Sequence, residues 1–253
     1  VSLFGKAKET IRRILANRIR SRLYLRYLQR RRGANVEHLF KDSLSDRFSA
    51  IYRNRVWLNG ADTGTLSGLG SEIEHTHTIR EQLPQLLAEM GTRTLVDVGC
   101  GDFNWMKEIQ LPCAYIGVDV VPEVIEANKA KYESDSRKFY LLDATSQPVP
   151  QGDTVLCREI LIHLSFADTA RVIENIRRSG AVFFMASNET GATYNHDILS
   201  GGHRPLNLLV APFFFPPPNF TIAEASQGSD RWLSVWRTAD LPILKMGRPS
   251  KGA

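Results

Sequence analysis

The chain has 253 residues, 43% of them hydrophobic, which is enough to bury a sizeable core in one domain with extensions. It holds no apolar run of 18 or more residues, so no helical membrane span is expected. The net charge of +5 is unevenly spread: residues 1–32 hold eleven Lys and Arg against Glu9, a segment charge of +10 that leaves −5 on the rest. A mildly acidic body does not resemble a nucleic-acid-binding surface.

Cys100, Cys113 and Cys157 are an odd count with no CxxC pair, so reduced, buried thiols are expected and a zinc site is not. The N-terminal stretch is basic and lacks the continuous apolar block of a secretory signal, which points to the cytoplasm. The chain begins at Val1 rather than Met, so some native N-terminus is expected to be missing.

In the basic segment, Ile11, Ile14, Leu15, Ile19, Leu23 and Tyr27 recur at spacings of three and four. This predicts an amphipathic helix, closed by Arg30-Arg31-Arg32-Gly33. Three roles compete. The helix packs on the body, or it lies on an anionic membrane surface, or it binds nucleic acid or a partner protein. A second helical piece is expected over residues 37–58, with Phe48, Tyr52 and Trp57 at its aromatic edge, followed by a turn cluster at residues 59–64. Ser71 and Glu74 form a capping-box pattern for a helix running to about Met90 and stopping at Gly91, with Pro84 as a kink point.

From Thr94 onward, strand and helix patterns alternate. Strands are expected at Leu95–Val98, Tyr115–Asp119, Lys138–Leu142, Thr154–Cys157 and Ala181–Met185. Helices are expected after the glycine turn at Asp102, from Pro122 to about Tyr132, and from Ser165 to about Arg178. Such alternation predicts a parallel sheet with helices on both faces. Residues 188–219 break the pattern with many glycines and prolines, although Tyr194, Phe213, Phe214 and Phe215 argue against disorder. Phe220–Ala225 and Trp232–Arg237 read as a closing hairpin, and the tail from Leu241 reads as loose.

The segment Thr94–Trp105, TLVDVGCGDFNW, carries the chemistry. A strand leads into Gly99-Cys100-Gly101, where backbone can approach a ligand closely. A dinucleotide fingerprint requires a third glycine at position 104, where Asn104 stands instead. Asp97 precedes the turn. A carboxylate there suits a ligand with an ammonium group and repels a pyrophosphate.

Here the chain resembles the class I S-adenosylmethionine-dependent methyltransferases, over about residues 70–187. Asp97-Val98-Gly99-Cys100-Gly101 matches their first motif. Asp119, followed by Val120, matches the acid that holds the ribose, and Asp143-Ala144 matches the pair that reads adenine. Phe103 departs from the pattern, since many members have a third glycine there. The segments SGLGS, CGDFNWM, YIGVDVVP, CREILIHLSF and NLLVAPFFFPPP are further similar to a bacterial group associated with polysaccharide and glycan biosynthesis.

The resemblance implies an α/β fold: a doubly wound, mostly parallel seven-stranded Rossmann-like sheet with a C-terminal antiparallel hairpin and an N-terminal helical extension. It divides the chain into a basic arm (1–33), a helical cofactor lid (34–92), a methyltransferase domain (93–240) with a substrate lid at 188–219, and a tail (241–253). S-adenosylmethionine is the implied cofactor. Ser67 and Gly68 are expected over its methionine end with Arg80 or Trp57 nearby, Asn104 and Trp105 along its wall, and Arg158 on the cofactor or the acceptor.

Methyl transfer to a hydroxyl calls for a base, and His163 is the first candidate with Glu159 second. The acceptor is expected to be a small molecule, sugar or glycan, lipid-linked where the arm meets the inner face of a membrane. Asn195, His196, His203 and Arg204 are candidates to hold it, although such groups also satisfy loop backbone. His75, His77, His196, Asp197 and His203 lack the spacing of a metal site, and no metal is expected. An RNA methyltransferase that uses the arm and a non-enzymatic cofactor-binding scaffold are the alternative readings.

Overall fold

The computed structural model describes residues 26–27, 30, 35–58, 64–224 and 230–244. Most of the expected basic helix, most of the 59–64 turn cluster and the tail beyond 244 lie outside these residues.

Seven strands form one sheet in the order β3-β2-β1-β4-β5-β7-β6. They are β1 (Thr94–Val98), β2 (Ala114–Asp119), β3 (Arg137–Leu141), β4 (Thr154–Cys157), β5 (Phe183–Glu189), β6 (Phe220–Ala223) and β7 (Arg231–Arg237). β1 to β5 run parallel, and β7 is antiparallel to both β5 and β6. Every residue of β4, and all of β1 after Thr94, is buried. Strands covered on both faces need near-continuous apolar sequence, which TLVDV and TVLC provide apart from Asp97. Chain order reverses between β1 and β4. The crevice at their carboxyl ends is where open α/β sheets bind ligands.

Among the described residues, α-helices flank the sheet: α1 (Leu44–Arg53), α2 (His77–Glu89), α3 (Pro122–Tyr132) and α4 (Phe166–Arg178). α3 starts at Pro122, whose missing N–H has no intrahelical partner to lose there. α4 is capped by Ser165, whose Oγ accepts from Asp168 N at 3.1 Å, and buries Val172, Ile173 and Ile176. One hydrophobic cluster gathers α1 and α4 with Trp236 and Phe215, and another gathers α2 with Phe103, Tyr115 and Leu233.

Several expected boundaries are corrected. No capping box forms at Ser71 and Glu74. Two 3-10 turns (Leu69–Ser71 and Glu74–Thr76) intervene, and α2 begins at His77 and continues through Pro84. Thr76 points its hydroxyl back to the carbonyls of Glu72 and Ile73 instead of capping. The glycine turn is followed not by a helix at Asp102 but by tight turns and a single 3-10 turn, Met106–Glu108. β5 runs to Glu189 rather than Met185, because β7 supplies backbone partners along Ser187, Asn188 and Glu189. Leu241, expected in a loose tail, is 4% exposed and packs into the core.

The 190–219 stretch forms no regular element, yet it is packed. Leu206, Leu208, Phe213 and Phe215 are buried, and Trp236 Nε1 donates to Pro216 O at 2.8 Å. Each such apolar side chain contributes about 1.5–3 kcal/mol on burial, which holds the irregular backbone against the sheet.

Ser165→Ala removes the cap of α4 and is expected to lower stability by about 1 kcal/mol. Urea denaturation would show this as a lower midpoint with an unchanged slope.

Candidate functional site

A cavity of about 920 Å³, counted to its open mouth, lies over the carboxyl ends of β1, β2, β3 and β4. Its floor is the glycine turn and three acids delivered by successive strands: Asp97 from β1, Asp119 from the end of β2, and Asp143 just beyond β3. Val120, Ala144, Cys100 and Trp105 complete the wall.

The turn is built for close approach. Gly99 and Gly101 have φ of +76° and +57°, and a Cβ on Gly101 would sit 2.4 Å from Ser67 Oγ. Phe103 also adopts positive φ, +60°, where a side chain is strained. The place where a glycine was missed is thus a change of residue type only, since the backbone still takes the left-handed conformation. The Phe103 ring offsets the strain by packing 5.1–5.2 Å from the rings of Tyr115, Tyr132 and Phe139.

The three acids sit in different environments. Asp97 is 4% exposed and accepts from Tyr115 Oη at 2.7 Å. Burial pushes its pKa up to about 7, against the pull of the Tyr115 hydroxyl and Arg158. Asp119 accepts from Gly101 N at 3.1 Å and Val121 N at 3.0 Å, and burial raises its pKa despite these bonds. Asp143 accepts from Thr145 N at 2.8 Å and Thr145 Oγ1 at 2.7 Å, an Asx turn that fixes the loop after β3.

Beyond β4 the chain places Arg158, Glu159 and His163 on the facing wall. Arg158 is buried. It donates from Nη2 to Gly70 O at 2.9 Å, pairs with Glu224 at 2.8 Å, and lies over Trp105 with 5.0 Å to the ring centre. Glu159, at φ +56°, pairs with Arg231 at 2.5 Å. Burial would raise its pKa, but Arg158 and Arg231 together hold it below the usual carboxylate value. His163 Nδ1 lies 2.7 Å from Gly202 O. A carbonyl only accepts, so Nδ1 carries the hydrogen and Nε2 keeps its lone pair. Burial lowers the His163 pKa to about 4, so the ring is neutral at pH 7. Trp57 lies against the His163 ring at 4.8 Å and His203 at 5.5 Å.

The extension before β1 roofs the cavity with Leu44, Phe48 and Tyr52 of α1, together with Trp57, Ser67 and Ser71. Asp102 ties this roof down. Its carboxylate accepts from Thr65 Oγ1, Leu66 N and Ser67 Oγ at 2.7–2.9 Å. Neither the α1 residues nor Asp102 stood out in sequence. The α1 residues reach the cavity only through long-range packing, whereas an acid directly after the glycine turn was a visible signal for Asp102.

Several candidates are not brought to the cavity wall. Gly68, Arg80 and Asn104 lie behind it. Arg80 donates to Thr76 Oγ1 and Ile73 O, and Asn104 Nδ2 donates to Ser71 O, so both brace the roof. Arg204 is fully buried. It bonds the carbonyls of Leu164 and Leu161 and stacks on Phe166, so it is no exposed holder of an acidic group. Asn195 bonds Asn207 and Ala211 backbone and stitches its own loop. His196 is half-buried beside Tyr194, and burial lowers its pKa. His203 is exposed next to His163. Of the four acceptor candidates, it alone neighbours His163 in these ring contacts. Among the described residues, no group of three or more His, Cys, Asp or Glu is placed to hold a metal ion. No helix among them is long and apolar enough to cross a membrane.

Residues 96–181 match a family described as a methyltransferase domain. Over that segment the chain is similar to a methyltransferase domain, and the segment holds the glycine turn with the three strand-end acids. No curated protein matches the sequence.

Among solved structures, human N-acetylserotonin methyltransferase in complex with SAM is similar at 14% identity and TM-score 0.52, covering 83% of this chain and 68% of that one. At that identity the likeness concerns the Rossmann-like methyltransferase fold. The N-methyltransferase NodS from Bradyrhizobium japonicum aligns at 14% identity and TM-score 0.48, covering 64% of this chain and 94% of that one. The [4+2]-cyclase SpnF aligns at 21% identity and TM-score 0.37, covering 46% of this chain, which spans only 48% of that protein.

The residues of the methyltransferase domain fit the cofactor. A carboxylate at the end of each of three successive strands meets a turn in which a Cβ at Gly101 would collide with the roof.

The roof also passes close to Glu159, whose carboxylate is held by Arg231. A Cβ on Gly70 would lie 2.1 Å from Glu159 Oε2, whereas one on Gly64 meets nothing within 4 Å. Gly70→Ala is expected to lose about 1–3 kcal/mol by overpacking, and Gly64→Ala to stay within about 0.5 kcal/mol of wild type. Thermal melts of the two variants compare them directly.

Proposed function

We propose that the protein transfers a methyl group from S-adenosylmethionine to a hydroxyl of a sugar or glycan acceptor. The observation that carries this reading is a neutral histidine with its Nε2 lone pair held in the same cavity as the three strand-end acids. Bound S-adenosylmethionine supplies a methyl group already activated on a sulfonium sulfur.

The chain's own residues then have three tasks. Asp97 receives the cofactor's ammonium group, Asp119 the ribose hydroxyls, and Asp143 with Ala144 the adenine edge. His163 Nε2 would take the proton of the acceptor hydroxyl. Glu159 stays ionised between Arg158 and Arg231, and its charge favours the imidazolium that forms on His163. The roof of Phe48, Tyr52 and Trp57 excludes water from the transfer.

A sugar acceptor is favoured by the segments similar to glycan-linked methyltransferases. The exposed His203 and the Trp57 face beside His163 also favour it, as they offer a rim for a polyhydroxylated ring. The basic segment 1–32 is assigned to an anionic membrane surface, which sets the enzyme at the inner face of a membrane beside a lipid-linked acceptor.

The acceptor is tested by transfer of a labelled methyl group to fractionated cell glycans and RNA. Label in a base-stable glycan ether supports the reading, and label confined to RNA overturns it. His163→Ala is expected to cut turnover by about 10²–10⁴-fold with cofactor affinity unchanged; unchanged turnover would remove the base assignment. At saturating cofactor, turnover should show no acid limb from His163 between pH 5 and 8, because the ring loses its proton at about 4.

Asp97 predicts a second pH effect, on binding. In the free protein it holds its proton up to about pH 7, and a bound ammonium favours the ionised form. Binding therefore releases a proton, and affinity rises by at most about tenfold per pH unit up to the free-state value, then levels. Isothermal titration from pH 5.5 to 8 checks this, and Asp97→Asn should flatten the curve.

A further inference from the structure

The two residues that follow β4 are opposite in charge, and each is paired by the closing hairpin. Arg158 Nε lies 2.8 Å from Glu224 Oε1, and Glu159 lies 2.5 Å from Arg231. Glu224 directly follows β6, and Arg231 opens β7. Their backbones are joined, Glu224 N donating to Arg231 O at 3.2 Å. A buried ion pair is weak evidence for stability, since hydrophobic replacements of similar volume often serve as well. Its retention at this place calls for another reason.

That reason lies in what Arg158 faces. Asp97 is surrounded by Tyr115 and Asp119 from β2, Cys100 of the turn, Cys157 of β4, and Arg158. Arg158 is the cation in that set. An unrestrained guanidinium beside a buried carboxylate would close on it and occupy the place of a ligand's ammonium group. It is instead held on three sides, by Glu224 at Nε, by the Gly70 carbonyl at Nη2, and by the Trp105 ring. Around Glu224 stand Arg158, Glu159, Arg231 and Ser187. Its side chain is fully buried, as is nearly all of Arg158's, so solvent does not screen the pair.

We propose that Glu224 is a positioning residue that holds the Arg158 guanidinium off Asp97 and so keeps that carboxylate open to the cofactor's ammonium group. The inference rests on the assignment of Asp97 given above. It gives the C-terminal hairpin a role in cofactor binding, although neither of its strands lines the cavity.

The test is isothermal titration of the full chain with S-adenosylmethionine from pH 5.5 to 8.5, for wild type, Asp97→Asn and Glu224→Gln. Wild-type affinity climbs to a plateau near pH 7, and Asp97→Asn shows no climb. Glu224→Gln frees Arg158 to pair with Asp97. The midpoint of the climb then falls by about one pH unit or more, and plateau affinity drops about tenfold. Where binding is too weak to titrate, carboxyl NMR of Asp97 reads the same midpoint.

A wild-type climb that Glu224→Gln leaves in place overturns the positioning role and spares Asp97. Absence of the climb in wild type overturns both. If Glu224→Gln does not fold, the Arg158→Gln/Glu224→Gln double variant removes both charges. Its Asp97 midpoint should stand at or above the wild-type value, and a midpoint below it overturns the proposal.

Discussion

Burying Asp97 is the constraint on which the site depends. A carboxylate inside a strand covered on both faces is held in the ionised form only at a large desolvation penalty. One tyrosine hydroxyl and a cation held at a distance leave it titrating near neutrality. A parallel sheet brings such a group to the carboxyl edge at the point where strand order reverses, and there the neighbouring strands add Asp119 and Asp143. The three acids are far apart in sequence and converge because β1, β2 and β3 are adjacent and parallel.

The surroundings of that edge are organised to immobilise charge. Arg158, Glu159, Glu224 and Arg231 form two crossed pairs. Asp102 is occupied by the roof, and the Gly202 carbonyl fixes the tautomer of His163. These charged groups around the cavity are each held by an opposite charge or a hydrogen bond. The groups left with capacity are the strand-end acids and one imidazole nitrogen. In a site largely sealed from water, this allocation decides which atoms remain able to act.

The 190–219 stretch illustrates how composition misleads. Its amides, histidines and arginine have the chemistry of a sugar-binding loop, and Asn195, Asn207 and Arg204 spend that chemistry on loop carbonyls. Irregular backbone that crosses a core has no ladder to satisfy its polar groups, so side chains do it instead. Residue type does not distinguish these two uses. Only His203 is left beside the cavity, at the exposed rim.

The sequence by itself determined the strand–helix alternation, the start of α3 at Pro122, the cap of α4 at Ser165, and the acids at the ends of the first three strands. These are local matters of periodicity, proline geometry and a short motif whose spacing a βαβ unit imposes. What only the tertiary structure decided was the length of β5, the roof of α1 over the cavity, the neutral state of His163, and the pairing of Arg158 with Glu224. Each of these depends on desolvation or on contacts between residues 39 to 106 positions apart, from His163 with Gly202 to Trp57 with His163. No local pattern encodes such contacts, because the chain must fold before the partners meet.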